Sequence, residues 1–310
     1  MMRGWILGLI MMAMLCRPPA VPAGGSGAYP NGADDFMAGL VPPPGTYLML
    51  YSNYYSADRY KDDNGDDYDA GPLADVDVSV WANVLRLVHV TDIRILGANW
   101  AVQTLIPVLD MDFEFGAPFH GLSDSKFGLG DIIVDPLLLA WHGKHFHWAA
   151  GLDIFLPTGS YDMYREPINP GNNVWTIEPA FGITYLNGPI DLSVKLMYDV
   201  STANDDYLDP LSGRAVDLLP GQEFHADFAA GYSFADGWTA GVGGYFYQQT
   251  TDDQVDGLNV AHERGRVLAI GPAVKYAHRN MSLTFKCLFE TQVRNRPAGQ
   301  STWFRLIYAF

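Results

Sequence analysis

From Ile190 to Val200 every second side chain is apolar. Ile190, Leu192, Val194, Leu196, Tyr198 and Val200 fall on one face of an extended chain, and Asp191, Ser193, Lys195, Met197 and Asp199 on the other. Successive side chains of a strand point to opposite faces, so this period predicts a strand between an apolar phase and a polar one. The pattern recurs. Phe224, Ala226, Phe228, Ala230, Tyr232 and Phe234 oppose His225, Asp227, Ala229, Gly231 and Ser233. Trp175, Ile177, Phe181, Ile183 and Tyr185 oppose Thr176, Glu178, Gly182 and Thr184. A slip of one residue would carry every one of these charges onto the apolar face. The chain ends on the same motif, with Phe304, Leu306, Tyr308 and Phe310 facing away from Trp303, Arg305, Ile307 and Ala309.

Strand patterns of this kind cover residues 46–55, 75–90, 93–109, 129–141, 145–157, 174–186, 190–202, 222–234, 238–251, 264–277, 281–294 and 302–310. Their connections alternate in length. Tight turns are predicted at Thr91-Asp92, His142-Gly143-Lys144, Asn187-Gly188-Pro189, Ala235-Asp236-Gly237 and His278-Arg279-Asn280. Between them lie the longer, polar stretches 56–74, 110–128, 158–173, 203–221, 252–263 and 295–301. Short turns at one end and long loops at the other are what a membrane imposes on strands that cross it; a soluble β-sandwich has no reason to sort its loops in this way. The fold class expected over 45–310 is therefore all-β, a transmembrane antiparallel up-and-down β-barrel of about 12 strands. Its short turns would be periplasmic and its long loops extracellular, with both termini in the periplasm. Trp100, Trp148, Trp175, Tyr185, Trp238, Tyr276 and Tyr308 fall near strand ends on the apolar side, where interfacial aromatics belong.

The first residues set the compartment. Arg3 precedes an unbroken apolar run from Trp5 to Leu15, and Val21-Pro22-Ala23 offers small residues for cleavage. Residues 1–23 thus read as a secretory signal peptide cleaved after Ala23. Leu15 is too bulky, just before Cys16, for the usual lipoprotein signal. No later apolar run has the length of a transmembrane helix, so any crossing is by strands. Residues 24–44 are rich in Gly and Pro and end in Pro42-Pro43-Pro44. They form a periplasmic lead-in. Composition favours an unstructured tail, with a partial plug of the barrel mouth as the alternative.

Composition then narrows the function. The chain holds 32 Gly, 17 Tyr, 16 Phe and 8 Trp in 310 residues, which suits a β protein with many turns and interfacial rings. Its net charge of −16 excludes a broad nucleic-acid surface, which needs clustered Lys and Arg. Cleavage would leave Cys287 as the one cysteine, which rules out an intramolecular disulfide and a cysteine-based zinc site in the mature chain.

On the strand alternation the lumen-lining set is Asp77, Asp131, Asp135, Asp153, Glu178, Asp191, Lys195, Asp199, His225, Asp227, Lys275, Lys286, Glu290 and Arg305. Acids outnumber bases. Eight-stranded barrels are filled and those of sixteen or more strands are open, so a barrel of about 12 lies between. These charges would either line a restricted path that disfavours anions or simply cross-link the interior. Metal and catalytic chemistry find little support. The acidic run Asp62 to Asp69 fails the EF-hand template, with Gly65 misplaced and Leu73 where the bidentate Glu belongs. His142, His145 and His147 cluster near a turn without a third ligand on one face. Ser79 and His89 share a strand but stand about 33 Å apart along it, too far for a nucleophile and its base. No metal, no cofactor and no catalytic residues are expected.

Three stretches carry a family resemblance: Trp81-Ala-Asn-Val-Leu-Arg-Leu-Val-His-Val-Thr-Asp-Ile-Arg-Ile-Leu-Gly97, Gly130-Asp-Ile-Ile-Val-Asp-Pro-Leu-Leu-Leu-Ala-Trp141, and Leu156-Pro-Thr-Gly159. With the signal peptide, they resemble the outer-membrane family labelled as the meta-pathway phenol-degradation protein, over nearly the whole mature chain. The resemblance implies a bacterial outer-membrane location and passive uptake of a small hydrophobic or aromatic compound. It brings no catalytic residues. The closing strand likewise resembles those of outer-membrane barrels, which implies that Tyr308 and Phe310 signal to the barrel-assembly machinery. Expected partners are then outer-membrane lipid and lipopolysaccharide, that machinery and a small-molecule substrate, with the chain a monomer. Two other functions stay open: a closed structural or adhesive barrel acting through its acidic loops, and an outer-membrane lipid hydrolase.

Overall fold

The computed structural model describes residues 27–71, 73–116, 123–165, 168–209 and 213–310. The expected signal peptide, 1–23, lies outside the described residues. Strands β1 (Gly45–Tyr60), β2 (Asp77–Ile95) and β3 (Ala98–Glu114) form a continuous meander. β4 (Ser123–Leu129) pairs with the upper half of β3 and β5 (Ile132–His142) with its lower half, so the two act as one strand interrupted at Gly130-Asp131. β6 (Phe146–Leu156), β7 (Thr176–Asn187) and β8 (Ile190–Ser201) continue the wall. β9 (Asn204–Asp209) and β10 (Arg214–Leu219) leave it as a hairpin, and β11 (Glu223–Ala235) and β12 (Trp238–Gln249) return to it. β13 (Asp253–Val255) and β14 (Leu258–Val260) form a second external hairpin before β15 (Arg266–His278), β16 (Met281–Arg294) and β17 (Pro297–Ala309) complete the wall.

β17 pairs with β16 on one side and with β1 on the other, from Tyr47↔Ala309 to Tyr60↔Pro297. The sheet is thereby closed, an antiparallel barrel of twelve strands with β4 and β5 counted as one. Closure is what hydrocarbon requires, since an open edge would leave backbone N–H and C=O groups unsatisfied. Leu192, Leu196, Phe181, Ile270, Phe285 and Phe304 are exposed on the outside, where a soluble protein would carry charge. The two external hairpins join into a four-stranded sheet ordered β14-β13-β10-β9 beyond the long-loop end.

Three expectations shift. Thr91-Asp92 is not a turn: β2 runs on to Ile95 through a register irregularity between Val90 and Arg94, and the chain reverses at Leu96-Gly97. Both of those residues have positive φ, 51° and 80°, the geometry of a two-residue hairpin that suits the twist of its strands. Residues 295–301 are not a loop, because β17 already begins at Pro297. Asp77 does not face the lumen. Val78, Val84, Val88 and Val90 are buried inside, so the odd positions of β2 point outwards and Asp77 is exposed at its upper end. On β2 the inward face is mostly valine, while Ser79, Asn83 and His89 share the outward face with Trp81, Leu85 and Leu87, so the alternation that orients β8 or β11 points the wrong way there.

Candidate functional site

The lumen is occupied by the chain's own lead-in. From Gly45 at the short-turn end, residues 44 back to 27 run up through the barrel. Gly39 meets the wall so closely that a Cβ on it would lie 2.5 Å from the Ile183 Cα, and its N–H donates to Thr184 Oγ1 at 2.8 Å. Opposite, a Cβ at Gly231 would lie 2.6 Å from the Phe36 ring. A bare backbone at these two positions lets two chains approach to contact. Met37 N–H donates to Ser193 Oγ at 2.9 Å, and the Lys275 ammonium lies 5.7 Å from the Phe36 ring centroid.

Charge fixes the middle of the lead-in. Asp34 and Asp35 enter a cluster of cations contributed by four strands. Asp34 lies 3.1 Å from Lys195 Nζ, 3.7 Å from Arg305 and 4.0 Å from Arg86. Asp35 pairs with Lys286 at 3.1 Å and with Arg305, and Lys286 also donates to the Asp34 carbonyl at 2.9 Å. Burial works to raise the Asp34 carboxyl, but Lys195, Arg86 and Arg305 outweigh it and hold the group below the usual carboxylate range. Higher up, the Asp227 carboxylate accepts from Tyr29 Oη at 2.7 Å, Gly32 N at 2.9 Å and Asp34 N at 2.9 Å. His225 Nδ1 stands 2.8 Å from Asn31 Oδ1, and Gly27 N reaches Glu223 at 3.4 Å.

The wall facing this segment is an acidic band. Register places Gln103 opposite Asp135, Asp153 opposite Glu178 and Asp199 opposite Glu223, at one level across β3 to β11. Gln103 donates to Asp135 at 3.3 Å and Asp153 at 3.1 Å while accepting from Arg86 at 2.9 Å. Glu178 and Asp199 are fully buried. Asp131 ties the following long loop to the rim, accepting from Gly159 N at 2.9 Å and Asn172 N at 2.8 Å. Glu290 accepts from Tyr245, Tyr55 and Gly299 near the upper end of β16.

Above the lead-in, between it and the long-loop end, lies a cavity of about 460 Å³. Its walls are mostly apolar, with Val80, Val84, Leu105, Phe113 and Phe155 among them, and its floor includes Ala28, Tyr29 and Pro30 of the lead-in. That volume lies within the range of pockets that hold small organic ligands.

Except for Asp77, the lumen residues expected from the sequence point inwards or line this cavity, but they form four groups, with His225 between the acidic band and Asn31 of the lead-in. Lys195, Lys286 and Arg305 gather around the lead-in acids, with Lys275 beside Phe36. Asp135, Asp153, Glu178 and Asp199 belong to the band, while Asp191 and Asp227 receive lead-in amides and Asp131 and Glu290 hold the rim. Sequence reasoning missed Asp34, Asp35, Arg86 and Glu223. An Asp-Asp pair inside a Gly- and Pro-rich stretch was the available signal for the first two. Of the turn histidines, His142 and His147 are cross-strand partners with Nδ1 atoms 3.2 Å apart, and His145 turns to the Leu186 carbonyl. In the acidic loop, Asp62 accepts the backbone N–H groups of Asn64 and Asp66, which hold its carboxyl below the usual range, and Lys61 pairs with Asp67 at 2.7 Å. The Tyr308 and Phe310 rings meet edge to face at 5.1 Å, with Phe310 exposed.

Residues 57–306 match the family described as "Putative MetA-pathway of phenol degradation". No curated protein matches the chain. Among solved structures, the chain is similar to the COG4313 outer membrane channel from Pseudomonas putida F1, with a TM-score of 0.75 at 17% identity, over 88% of this chain and 98% of that one. It also resembles the transport unit of the autotransporter AIDA-I from Escherichia coli, with a TM-score of 0.52 at 8% identity, over 88% of this chain and 95% of the other. At these identities the likeness is one of fold, that of an outer-membrane β-barrel.

Proposed function

The chain belongs to this phenol-degradation family, and from that premise we propose that it is an outer-membrane channel through which a small hydrophobic or aromatic compound enters by passive diffusion. The observation that carries the reading is the apolar cavity of about 460 Å³ beneath the long-loop end, floored by the lead-in. An apolar solute arriving from outside gains about 25 cal/mol per Å² of surface it buries against this wall, and Asp131, Glu290 and Arg296, which also line it, can orient a single polar substituent. The lead-in fills the path below, so passage requires it to shift. Its anchors are ion pairs and amide hydrogen bonds, which can exchange one at a time.

The test is uptake into proteoliposomes of labelled monoaromatics, fatty acids and small polar solutes. Selective entry of one apolar class, reduced severalfold by Val84→Asp or Leu105→Asp, is the expected result. Equal entry of polar and apolar solutes would replace the reading with a general pore. The filled lower lumen also suits a second reading, a closed barrel acting through its external sheet. Absence of flux for every solute, with folded barrel in the vesicles, would favour it.

A further inference from the structure

We propose that the lumen wall contains a binding site for one divalent transition-metal ion, of the zinc type, formed by Asp199, Glu223 and His225 with Glu178 beside them. The register of β8 and β11 places Asp199 opposite Glu223, and His225 follows two residues later on the same face. Asp199 Oδ2 and Glu223 Oε2 each lie 3.3 Å from His225 Nε2. One donor atom from each of the three residues lies within 4.8 Å of the others. A tetrahedral ion with bonds of 2.0–2.2 Å holds neighbouring donors about 3.3–3.5 Å apart.

The imidazole is oriented for this role. Its Nδ1 lies 2.8 Å from Asn31 Oδ1, an acceptor, so Nδ1 carries a proton and Nε2, which faces the carboxylates, is the atom left to bind an ion. A second partner that fixes the ring tautomer is the usual support of a metal-bound histidine. The surroundings independently call for a cation. Glu178 and Asp199 are 0% and 1% exposed, and among the described residues none makes a hydrogen bond to their four carboxylate oxygens. Buried carboxylates in that condition are costly unless a cation meets them. Lys195, which acts on Glu178, is already paired with Asp34 at 3.1 Å. A proton on Nε2 would bring one charge, shared between two carboxylates each 3.3 Å away. A divalent ion brings two and coordinates both. One imidazole among carboxylates is a mixed nitrogen and oxygen set, which suits zinc better than calcium or magnesium. Through Asn31 and the Gly27 contact to Glu223, the ion would also brace the lead-in against the wall.

The experiment uses full-length folded protein stripped with a chelator, desalted, and titrated with zinc chloride and separately with cobalt(II) chloride. Metal content is read by mass spectrometry and cobalt coordination by visible absorption. One equivalent of zinc per chain is expected, with intense tetrahedral cobalt bands. His225→Gln and Asp199→Asn should each weaken zinc binding by about 100-fold, at least what loss of a supporting partner costs. His142→Ala with His147→Ala should leave it unchanged. Heat-modifiable gel mobility checks the fold of each variant. If a lumen variant does not fold, the wild-type stoichiometry and cobalt spectrum decide alone. No saturable zinc in wild type, or zinc that survives His225→Gln and is lost with the turn histidines, would overturn the proposal. Neither result bears on solute uptake.

Discussion

Two sets of lumen side chains meet the same lead-in in opposite ways. The cations Arg86, Lys195, Lys286 and Arg305, drawn from four strands, gather around Asp34 and Asp35. The acids Asp227, Asp191 and Glu223 receive lead-in N–H groups and, at Asp227, a phenol, while Glu178 and Asp199 receive no hydrogen bond from the described part of the lead-in. A barrel interior this narrow must satisfy its charges internally. The lead-in thus brings counter-ions to the first set and hydrogen-bond donors to part of the second. Counting lumen acids against bases along the strands therefore misjudges the interior, because two of its acids arrive on a segment that is not a strand.

The comparison breaks most visibly if the counter-ions are removed. Replacing Asp34 and Asp35 by Asn leaves buried cations unpaired, at about 3–5 kcal/mol for a broken buried pair. Since about 1.4 kcal/mol is tenfold in a population, the lead-in should spend far more time out of the lumen. Expected outcomes are a rise in single-channel conductance of about tenfold or more and rapid proteolysis of residues 27–44 from the short-turn side. Unchanged conductance would show that amide hydrogen bonds to the lumen acids hold the segment instead.

A smaller effect is expected from shape. Gly231→Leu forces a side chain into the space of the Phe36 ring, an overpacking cost of about 1–3 kcal/mol. Faster hydrogen exchange at 36–39 with the external sheet unaffected would place the strain in the lead-in. Exchange that rises equally everywhere would instead mean general destabilisation.

The smallest effects are those of pH, and they should differ in sign between two acids. Asp34 is held low by its cations, so its contribution is present above the ordinary carboxylate value and is lost only as pH falls below it, towards the lower value in the folded protein. Lead-in protection measured by hydrogen exchange should hold from pH 8 down to about 4. Asp253, in the external sheet, is pushed up to about 7 by burial and by Glu223 and Glu263, against hydrogen bonds from Gly221 and Gln249. Its contribution is full below the ordinary value and fades as pH rises from about 4 to about 7. Protection of amides 253–260, relative to intrinsic exchange at each pH, should accordingly be severalfold lower at pH 8 than at pH 5. Protection that does not change between them would mean that Asp253 is ionised throughout.

The strands were legible wherever their two faces differ. β7, β8 and β11 alternate charge with large apolar groups, and the structure places those faces as the alternation requires. β2 carries valines on its lumen side and Ser79, Asn83 and His89 beside Trp81, Leu85 and Leu87 on the outer side, so the more polar face, with Asp77, reads as the lumen although it is the outer one. The external sheet was invisible because β13 and β14 have three residues each, too few to show a period. Glu223 was passed over because it stands at the first position of its strand, where alternation has not yet begun.

By itself the sequence determined that this chain would close into a barrel of about 12 strands, because lipid tolerates no unpaired backbone and alternation of period two needs no partner to be read. Only the tertiary structure decided what fills that barrel. Asp34 acquires its meaning from Lys195 and Arg305, which lie 161 and 271 positions along the chain, and Asp199 meets Glu223 and His225 through strand register. Such contacts depend on which strands become neighbours around a closed sheet, and no local pattern in the chain records that.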